Sequence, residues 1–173
     1  MPDPLGRSLT FLLGGARSGK SAHAEKLATA LPAPWTYVAT AQAFDGEMTE
    51  RIALHRARRG EGWQTVDAPL DLAGALRAMP DHRPVLIDCL TLWLSNHMLA
   101  KHDVDVLCAE LEDVLSTPRG PWFVVSNEVG LGIVPDNPLG RRFRDAQGRL
   151  NQRIAARAGS VLFMVAGLPL QVK

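Results

Sequence analysis

The chain has 173 residues, of which 46% are hydrophobic and 21% are charged, and its formal net charge is +1. This is the composition of an ordinary globular protein, and the length predicts one catalytic domain spanning residues 1–173. The near-neutral charge argues against nucleic-acid binding, which needs a strongly basic face. No apolar stretch reaches the ~18 residues of a membrane-spanning helix, so we expect no membrane insertion.

Two further features concern the compartment. Cys89 and Cys108 lack the spacing of metal ligands, which is typical of thiols in a reducing environment. The first seven residues lack the basic-then-apolar layout of a signal peptide. The sequence therefore predicts a cytoplasmic protein.

A phosphate-binding loop is the strongest motif. Residues 14–21 match the pattern G-x-x-x-x-G-K-[ST] in full. An apolar run at 9–13 predicts the preceding strand, and helix formers at 20–31 predict the following helix, which Pro32 ends. Backbone N–H groups of such a loop and the positive end of the helix bind phosphate oxygens. The predicted phosphate contacts are Gly14, Gly15, Ala16, Arg17, Ser18, Gly19, Lys20 and Ser21.

The segment after the second strand is unusually basic. Aromatic and β-branched residues predict a strand at 35–39, with Thr40, Ala41 and Gln42 at its carboxyl end. Residues 45–59 read as a polar, basic helix that contains His55. Two interpretations are open from local residues alone. The segment is a solvated basic face, or His55 is a nucleophile toward phosphorus and the neighbouring arginines bind a triphosphate.

Asp88 closes a buried-strand run at 84–88, after a short predicted strand at 64–66 and a helix at 70–79. One interpretation is a carboxylate that holds Mg²⁺ beside the phosphates, as in many phosphate-loop proteins. The other is an N-cap for the helix predicted at 91–101, which is followed by a further helix at 103–115.

The last third of the chain again alternates predicted strands with a predicted helix. An apolar strand at 122–126 leads into the loop 127–135, which begins Asn127-Glu128 and is either a substrate-facing loop or a plain turn. A long basic helix is predicted at 139–158, where Arg144, Asp145, Asn151 and Gln152 either face a phosphate-bearing substrate or lie on an exposed face. Strands are predicted at 160–165 and 170–172.

The strand runs show little alternation of polar and apolar residues, which indicates burial on both faces. The fold class is therefore predicted to be α/β, with a mainly parallel sheet and helices on both faces. Ligands of such sheets bind beyond the carboxyl ends of the strands, where the candidate residues above collect.

In their order along the chain, these segments resemble the bifunctional adenosylcobinamide kinase and adenosylcobinamide-phosphate guanylyltransferase family of cobalamin biosynthesis. The resemblance runs nearly end to end. It is carried by GGARSGKS at 14–21, YVATAQ at 37–42, Glu47-Met48, Arg51-Ile52 and His55-Arg56, WQT at 63–65, LIDCLTLWLSN at 86–96, SNEVGLGIVP at 126–135, FRD at 143–145 and GRLNQ at 148–152.

The resemblance implies a RecA-like P-loop NTPase fold and two reactions. ATP or GTP would phosphorylate adenosylcobinamide, and GMP from GTP would then pass through His55 to give adenosylcobinamide-GDP. It also implies a homo-oligomer, a trimer in the family. Lys20 and His55 would be catalytic, and Ser21 and Asp88 would hold Mg²⁺. Implied nucleotide contacts beyond the phosphate loop are Thr40, Ala41, Gln42, Arg56, Ala57, Arg58, Arg59, Asp67 and Asp88.

The chain departs from the family pattern in two places. Asp67 and Asp88 stand where some relatives have Glu, and residues 56–62 replace a more usual Arg-Pro ending after the histidine. Two other functions stay open on the sequence: a different P-loop small-molecule kinase, and a nucleotide-regulated binding module.

Overall fold

The structure is a computed structural model that describes residues 6–42, 46, 49–50, 53, 57 and 59–173. The strands of this part of the chain are β1 (Ser8–Gly14), β2 (Trp35–Ala39), β3 (Trp63–Asp67), β4 (Val85–Asp88), β5 (Pro121–Asn127), β6 (Ser160–Val165) and β7 (Leu168–Gln171). Its helices of defined bounds are α1 (Lys20–Thr29), α2 (Leu72–Arg77), α3 (Leu90–Leu99), α4 (Val104–Ser116) and α5 (Pro138–Arg157).

The strands form one sheet in the order β3-β2-β4-β5-β1-β6-β7. Every neighbouring pair is parallel except β6 and β7, which are antiparallel. The predicted α/β architecture with a mainly parallel sheet is therefore confirmed. Because β5 lies between β1 and β4, the strand before the phosphate loop and the strand that ends in Asp88 are separated by one strand.

Both faces of the sheet are covered, which explains the weak alternation along the strands. Helices α2 to α5 pack on one face, around a cluster of buried side chains that includes Phe11, Ile87 and Trp122. Helix α1 packs on the other face through Ala24 and Ala28. The small side chains of α1 let it lie close to the sheet, and its first residue is the phosphate-loop lysine.

The observed bounds follow the predictions closely, with shifts at helix ends. β2 and β6 have the predicted bounds, whereas α1 ends at Thr29 and α2 covers only Leu72–Arg77. The start of α2 is set by Asp71, whose carboxylate accepts a hydrogen bond from the N–H of Gly74 at 2.9 Å. β7 begins two residues before the predicted edge piece.

Only part of the predicted helix 45–59 belongs to the described residues. Of these, Gly46, Thr49, Glu50, Ala53 and Ala57 are helical and exposed, and Arg59 lies in a bend. The remainder of this prediction falls outside the described residues. Among the helices that the structure describes, none is long and apolar enough to cross a bilayer.

Candidate active site

The phosphate loop joins β1 to α1, and close packing explains its glycines. A Cβ on Gly14 would lie 2.7 Å from the carbonyl oxygen of Met164 and from the hydroxyl of Ser18. Gly19 has a φ of 93° and would place a Cβ 3.1 Å from Cα of Gly167. The N–H of Gly167 also donates to the carbonyl of Ser18 at 3.0 Å. The turn between β6 and β7 therefore packs against the phosphate loop and stabilises it.

Lys20 is the buried cation of this loop, with only 7% of its surface exposed. Its Nζ donates to the carbonyl oxygen of Gly15 at 2.5 Å and approaches Oγ of Ser18 at 3.5 Å. Burial lowers the pKa of Lys20 below its usual value, and the neighbouring Cys89 and Asp88 act in the opposite direction. A desolvated ammonium within the phosphate loop is suited to binding phosphate oxygens.

Asp88 stands at the carboxyl end of β4, where its Oδ2 accepts a hydrogen bond from the hydroxyl of Tyr37 at 3.1 Å. The N-cap residue of α3 is Cys89, without a side-chain capping bond. The carboxylate of Asp88 therefore does not cap this helix, which was the alternative interpretation of this residue. It remains a candidate for the metal or the nucleotide.

Thr40 joins the ends of β2 and β4. Its Oγ1 accepts the N–H of Cys89 at 2.8 Å and donates to the carbonyl of Cys89 at 2.7 Å. Its own carbonyl accepts from Nδ2 of Asn96 at 2.8 Å, and its N–H donates to the carbonyl of Asp88. The polar groups of Thr40 thus hold the backbone around Asp88. The neighbouring Ala41 and Gln42 are half-buried.

The two acidic candidates lie at the same level of the sheet. Ala39 at the end of β2 is in register with Asp67 on one side and with Asp88 on the other. Because neighbouring strands are about 4.8 Å apart, the Cα atoms of the two aspartates are separated by roughly 10 Å. Their equal register places both on the sheet face that α1 covers. The sequence alone did not predict this pairing.

The end of β5 is fastened to the phosphate loop. The N–H of Glu128 donates to the carbonyl of Gly14 at 3.0 Å. The N–H of Asn127 donates to Oγ1 of Thr91 at 2.8 Å, and its carbonyl accepts from Nδ2 of Asn151 at 3.0 Å. These bonds fix the strand end where the loop 127–135 begins.

A buried polar network lies directly behind that strand end. Ser126 Oγ donates to Oδ1 of Asn151 at 2.8 Å and accepts from Nε2 of Gln147 at 3.0 Å. Asn151 is 5% exposed and bonds Ser126 and the carbonyl of Asn127, so it fits neither interpretation, a substrate-facing residue or an exposed face. The neighbouring Gln152 is exposed. Polar side chains stand at both interior and exterior positions of α5, so the sequence alone did not distinguish the buried Asn151 from the exposed Gln152.

Arg59 is the described end of the basic segment. Its guanidinium carbon lies 3.5 Å from the ring centroid of Tyr37, which brings the arginine to the residue that bonds Asp88. His55, Arg56 and Arg58 lie outside the described residues, so their predicted roles stay predictions. The described Ala57 is exposed. Among the described residues, no three His, Cys, Asp or Glu side chains form a group that could hold a metal ion.

Comparison with known proteins identifies the chain's relatives. A family model described as cobinamide kinase / cobinamide phosphate guanyltransferase matches residues 10–172. The chain belongs to this family. Membership confirms the predicted enzyme class and the predicted place in cobalamin biosynthesis.

Two relatives match this chain over nearly its whole length. The chain is 50% identical over 167 residues to the bifunctional adenosylcobalamin biosynthesis protein CobP of Pseudomonas aeruginosa, covering 94% of this chain and 96% of that protein. It is 37% identical to the bifunctional adenosylcobalamin biosynthesis protein CobU of Salmonella typhimurium, covering 95% of this chain and 99% of the relative. The match therefore includes every candidate site residue.

Solved structures of low sequence identity support the fold of this cobinamide kinase family member. The ATPase EscN of the enteropathogenic E. coli type III secretion system superposes with a TM-score of 0.53 at 13% identity, covering 95% of this chain and 50% of EscN. A structure titled project PH0250 from Pyrococcus horikoshii OT3 gives 0.52 at 10% identity, covering 99% and 88%. At these identities the likeness supports the α/β fold with its mainly parallel sheet.

Proposed function

We propose that the chain phosphorylates adenosylcobinamide with ATP or GTP and then converts the product to adenosylcobinamide-GDP with GTP. The observation that carries the proposal is the family match over residues 10–172, which includes an intact phosphate loop with a buried Lys20. In the first reaction the substrate hydroxyl attacks the γ-phosphorus, and the nucleoside diphosphate leaves. Lys20 and the loop amides stabilise the charge on the phosphate oxygens during transfer.

In the proposed second reaction, the imidazole of His55 attacks the α-phosphorus of GTP and pyrophosphate leaves. A phosphate oxygen of adenosylcobinamide phosphate then attacks the guanylyl-histidine, which forms the new pyrophosphate bond and releases the imidazole. The resemblance assigns this nucleophile. Arg59, four positions after His55 in the sequence, supports the assignment because its guanidinium lies over the ring of Tyr37, whose hydroxyl bonds Asp88.

Mg²⁺ is the implied metal of both reactions, and the residues present fit it. Ser21 offers a hydroxyl in the first turn of α1, and Asp88 offers a carboxylate at the end of β4. Mg²⁺ in phosphate-transfer sites is commonly held by one or two protein oxygens together with the substrate's phosphates and water. When bound, the ion would neutralise charge on the phosphate oxygens.

Labelling with GTP that carries the label on its α-phosphate tests the guanylyl step. The wild-type chain should form a protein adduct that is stable to alkali and labile to acid, as a phosphoramidate is. His55→Ala should form no adduct. His82→Asn is the matched control, because His82 lies in the turn before the amino end of β4, whereas the phosphate loop follows the carboxyl end of β1, and Asn tolerates its φ of 62°. An adduct that persists in His55→Ala would refute the assignment.

Adding adenosylcobinamide to the same assay separates the alternative functions. A different small-molecule kinase would transfer phosphate but form no guanylyl adduct, and a nucleotide-regulated binding module would show no dependence on cobinamide. Lys20→Ala should reduce both half-reactions by about a thousandfold or more, since electrostatic stabilisation of the transferring group dominates such chemistry. Retention of both would contradict the assignment of the phosphate loop.

We also propose that the chain forms a homo-oligomer, with the trimer implied by the family as the expected state. The antiparallel edge strand β7 supports an interface because Leu168 and Leu170 on it, and Val172 directly after it, are each more than half exposed. Contiguous exposed apolar residues on an edge strand are typical of contact surfaces. Light scattering coupled to size-exclusion chromatography measures the mass, and a monomer at micromolar concentration would refute the proposal.

A further inference from the structure

Tyr37 lies in the middle of β2 and contacts two candidate site residues, Asp88 and Arg59. It is 7% exposed and lies on the sheet face that α1 covers. The hydroxyl donates a hydrogen bond to Oδ2 of Asp88, and the guanidinium of Arg59 lies over the ring. One side chain therefore contacts both the acidic end of β4 and the described end of the segment that contains His55.

The hydroxyl is a permanent hydrogen-bond donor. A phenol hydroxyl has one O–H to donate, and here that O–H is directed at the carboxylate of Asp88. A neutral donor 3.1 Å from Oδ2 fixes the orientation of the carboxylate and leaves its other oxygen free of this bond.

The ring supports Arg59 by a cation–π contact. The guanidinium carbon is 3.5 Å from the ring centroid, well within the range over which such contacts are attractive. Trp63 packs edge-on against the same ring, with centroids 6.3 Å apart, and holds it in place. Nη1 of Arg59 is buried and has no hydrogen-bond partner among the described residues. A buried donor in this state is available to an anionic ligand.

We propose that Tyr37 is a positioning residue that sets the separation of Asp88 and Arg59, so that both act on the same bound nucleotide. This inference rests on the proposed function. The hydroxyl orients the carboxylate that serves Mg²⁺ and hence acts in both reactions. The ring orients an arginine that follows the proposed nucleophile and hence acts in guanylyl transfer. The family motifs and the composition do not distinguish these two roles. The contacts of Tyr37 with Asp88 and with Arg59 do.

Two substitutions separate the roles. Tyr37→Phe keeps the ring and removes the hydroxyl, so the Mg²⁺ concentration for half-maximal rate should rise about fivefold in both half-reactions, the effect of one lost hydrogen bond to a carboxylate. At saturating Mg²⁺ its adduct should form at close to the wild-type rate. Tyr37→Leu removes the ring as well, and adduct formation should fall about a further tenfold without recovery by Mg²⁺.

A double-mutant cycle tests the link to Arg59. Tyr37→Leu combined with Arg59→Ala should form the adduct no more slowly than Arg59→Ala alone, because the ring acts through the arginine. Additive losses would overturn the proposal, as would equal behaviour of Tyr37→Phe and Tyr37→Leu. Near-ultraviolet circular dichroism of Trp35 and Trp63, whose ring centroids are 5.5 Å apart, reports whether each variant keeps the native packing.

A measurement without transfer chemistry distinguishes this inference from the proposed function. Tyr37 is the one tyrosine of the chain, so ring-labelled tyrosine gives a single NMR signal. Adding Mg²⁺ and GTP to the wild type should shift that signal, whereas Lys20→Ala should abolish the shift. If the Tyr37 signal shifts but the protein transfers neither the phosphoryl nor the guanylyl group, the proposed function is refuted and the positioning role is not. GTP binding without a shift would refute the positioning role.

Discussion

Removing the hydroxyl of Thr40 should weaken both the fold and the nucleotide site. In Thr40→Val the side chain keeps its shape, but the N–H of Cys89 loses its partner at 2.8 Å, while the carbonyl of Cys89 loses one bond and keeps the N–H of Trp93 at 3.3 Å. One buried unsatisfied donor costs about 1–3 kcal/mol. We expect the free energy of unfolding to fall by about 2 kcal/mol. Thr40→Ser keeps the hydroxyl and loses one methyl, which costs about 1 kcal/mol.

Urea unfolding followed by tryptophan fluorescence measures this difference. The midpoint should decrease in the order wild type, Thr40→Ser, Thr40→Val, with an unchanged dependence of the free energy on denaturant. Since the lost bonds hold the backbone next to Asp88, the KM for Mg²⁺·GTP should also rise in Thr40→Val by about tenfold, the equivalent of ~1.4 kcal/mol. If Thr40→Val and Thr40→Ser unfold at the same urea concentration, the reasoning is refuted.

Three further predictions concern other parts of the fold. Gly19→Ala forces a left-handed φ of 93° on alanine, which should lower the melting temperature through a loss of about 1–2 kcal/mol and weaken GTP binding; unchanged values would contradict it. Burial lowers the pKa of His97 in the folded protein below its value in the unfolded chain. Below pH ~6.5 the unfolded chain therefore binds more protons than the folded protein, and the free energy of unfolding should decrease as the pH falls from there to the folded pKa. His97→Gln should remove that slope, and His82→Asn should keep it. Asp103→Ala removes the cap of α4, two bonds at 3.1 and 3.3 Å, and should cost about 1 kcal/mol in urea unfolding. Asp81→Ala breaks an exposed ion pair with an arginine and should cost less than Asp103→Ala.

The strands and the phosphate loop could be predicted from the sequence because their signals are local. The run at 35–39 is aromatic and β-branched and follows two prolines, and β2 has those bounds. The loop motif fixes the junction of β1 and α1 to within one residue. Burial of the sheet on both faces removes the alternation along the strands, so the parallel architecture was also predictable.

The contacts that complete the site join residues far apart in the chain. Tyr37 and Asp88 are separated by 51 positions, and Thr40 and Cys89 by 49. No local pattern distinguishes a threonine that binds a ligand from one that binds a neighbouring strand. Asn151 illustrates the same difficulty, since its polar side chain satisfies Ser126 inside the protein instead of facing a substrate. Tertiary hydrogen bonding decides such assignments.

The site is assembled from two parts. The phosphate loop is held by the end of β5 through Glu128 and by the β6–β7 turn through Gly167. The acidic end of β4 is held by Tyr37 of β2 and by Thr40 directly after that strand. Helix α3 links the two parts, since Thr91 bonds the end of β5 and Asn96 bonds the carbonyl of Thr40. In the proposed reactions the substrate hydroxyl attacks the γ-phosphorus and His55 attacks the α-phosphorus, so the phosphates must be held in one place while a different group approaches each. A phosphate loop fixed on β1 and an Arg59 that lies over Tyr37 of β2 agree with this requirement.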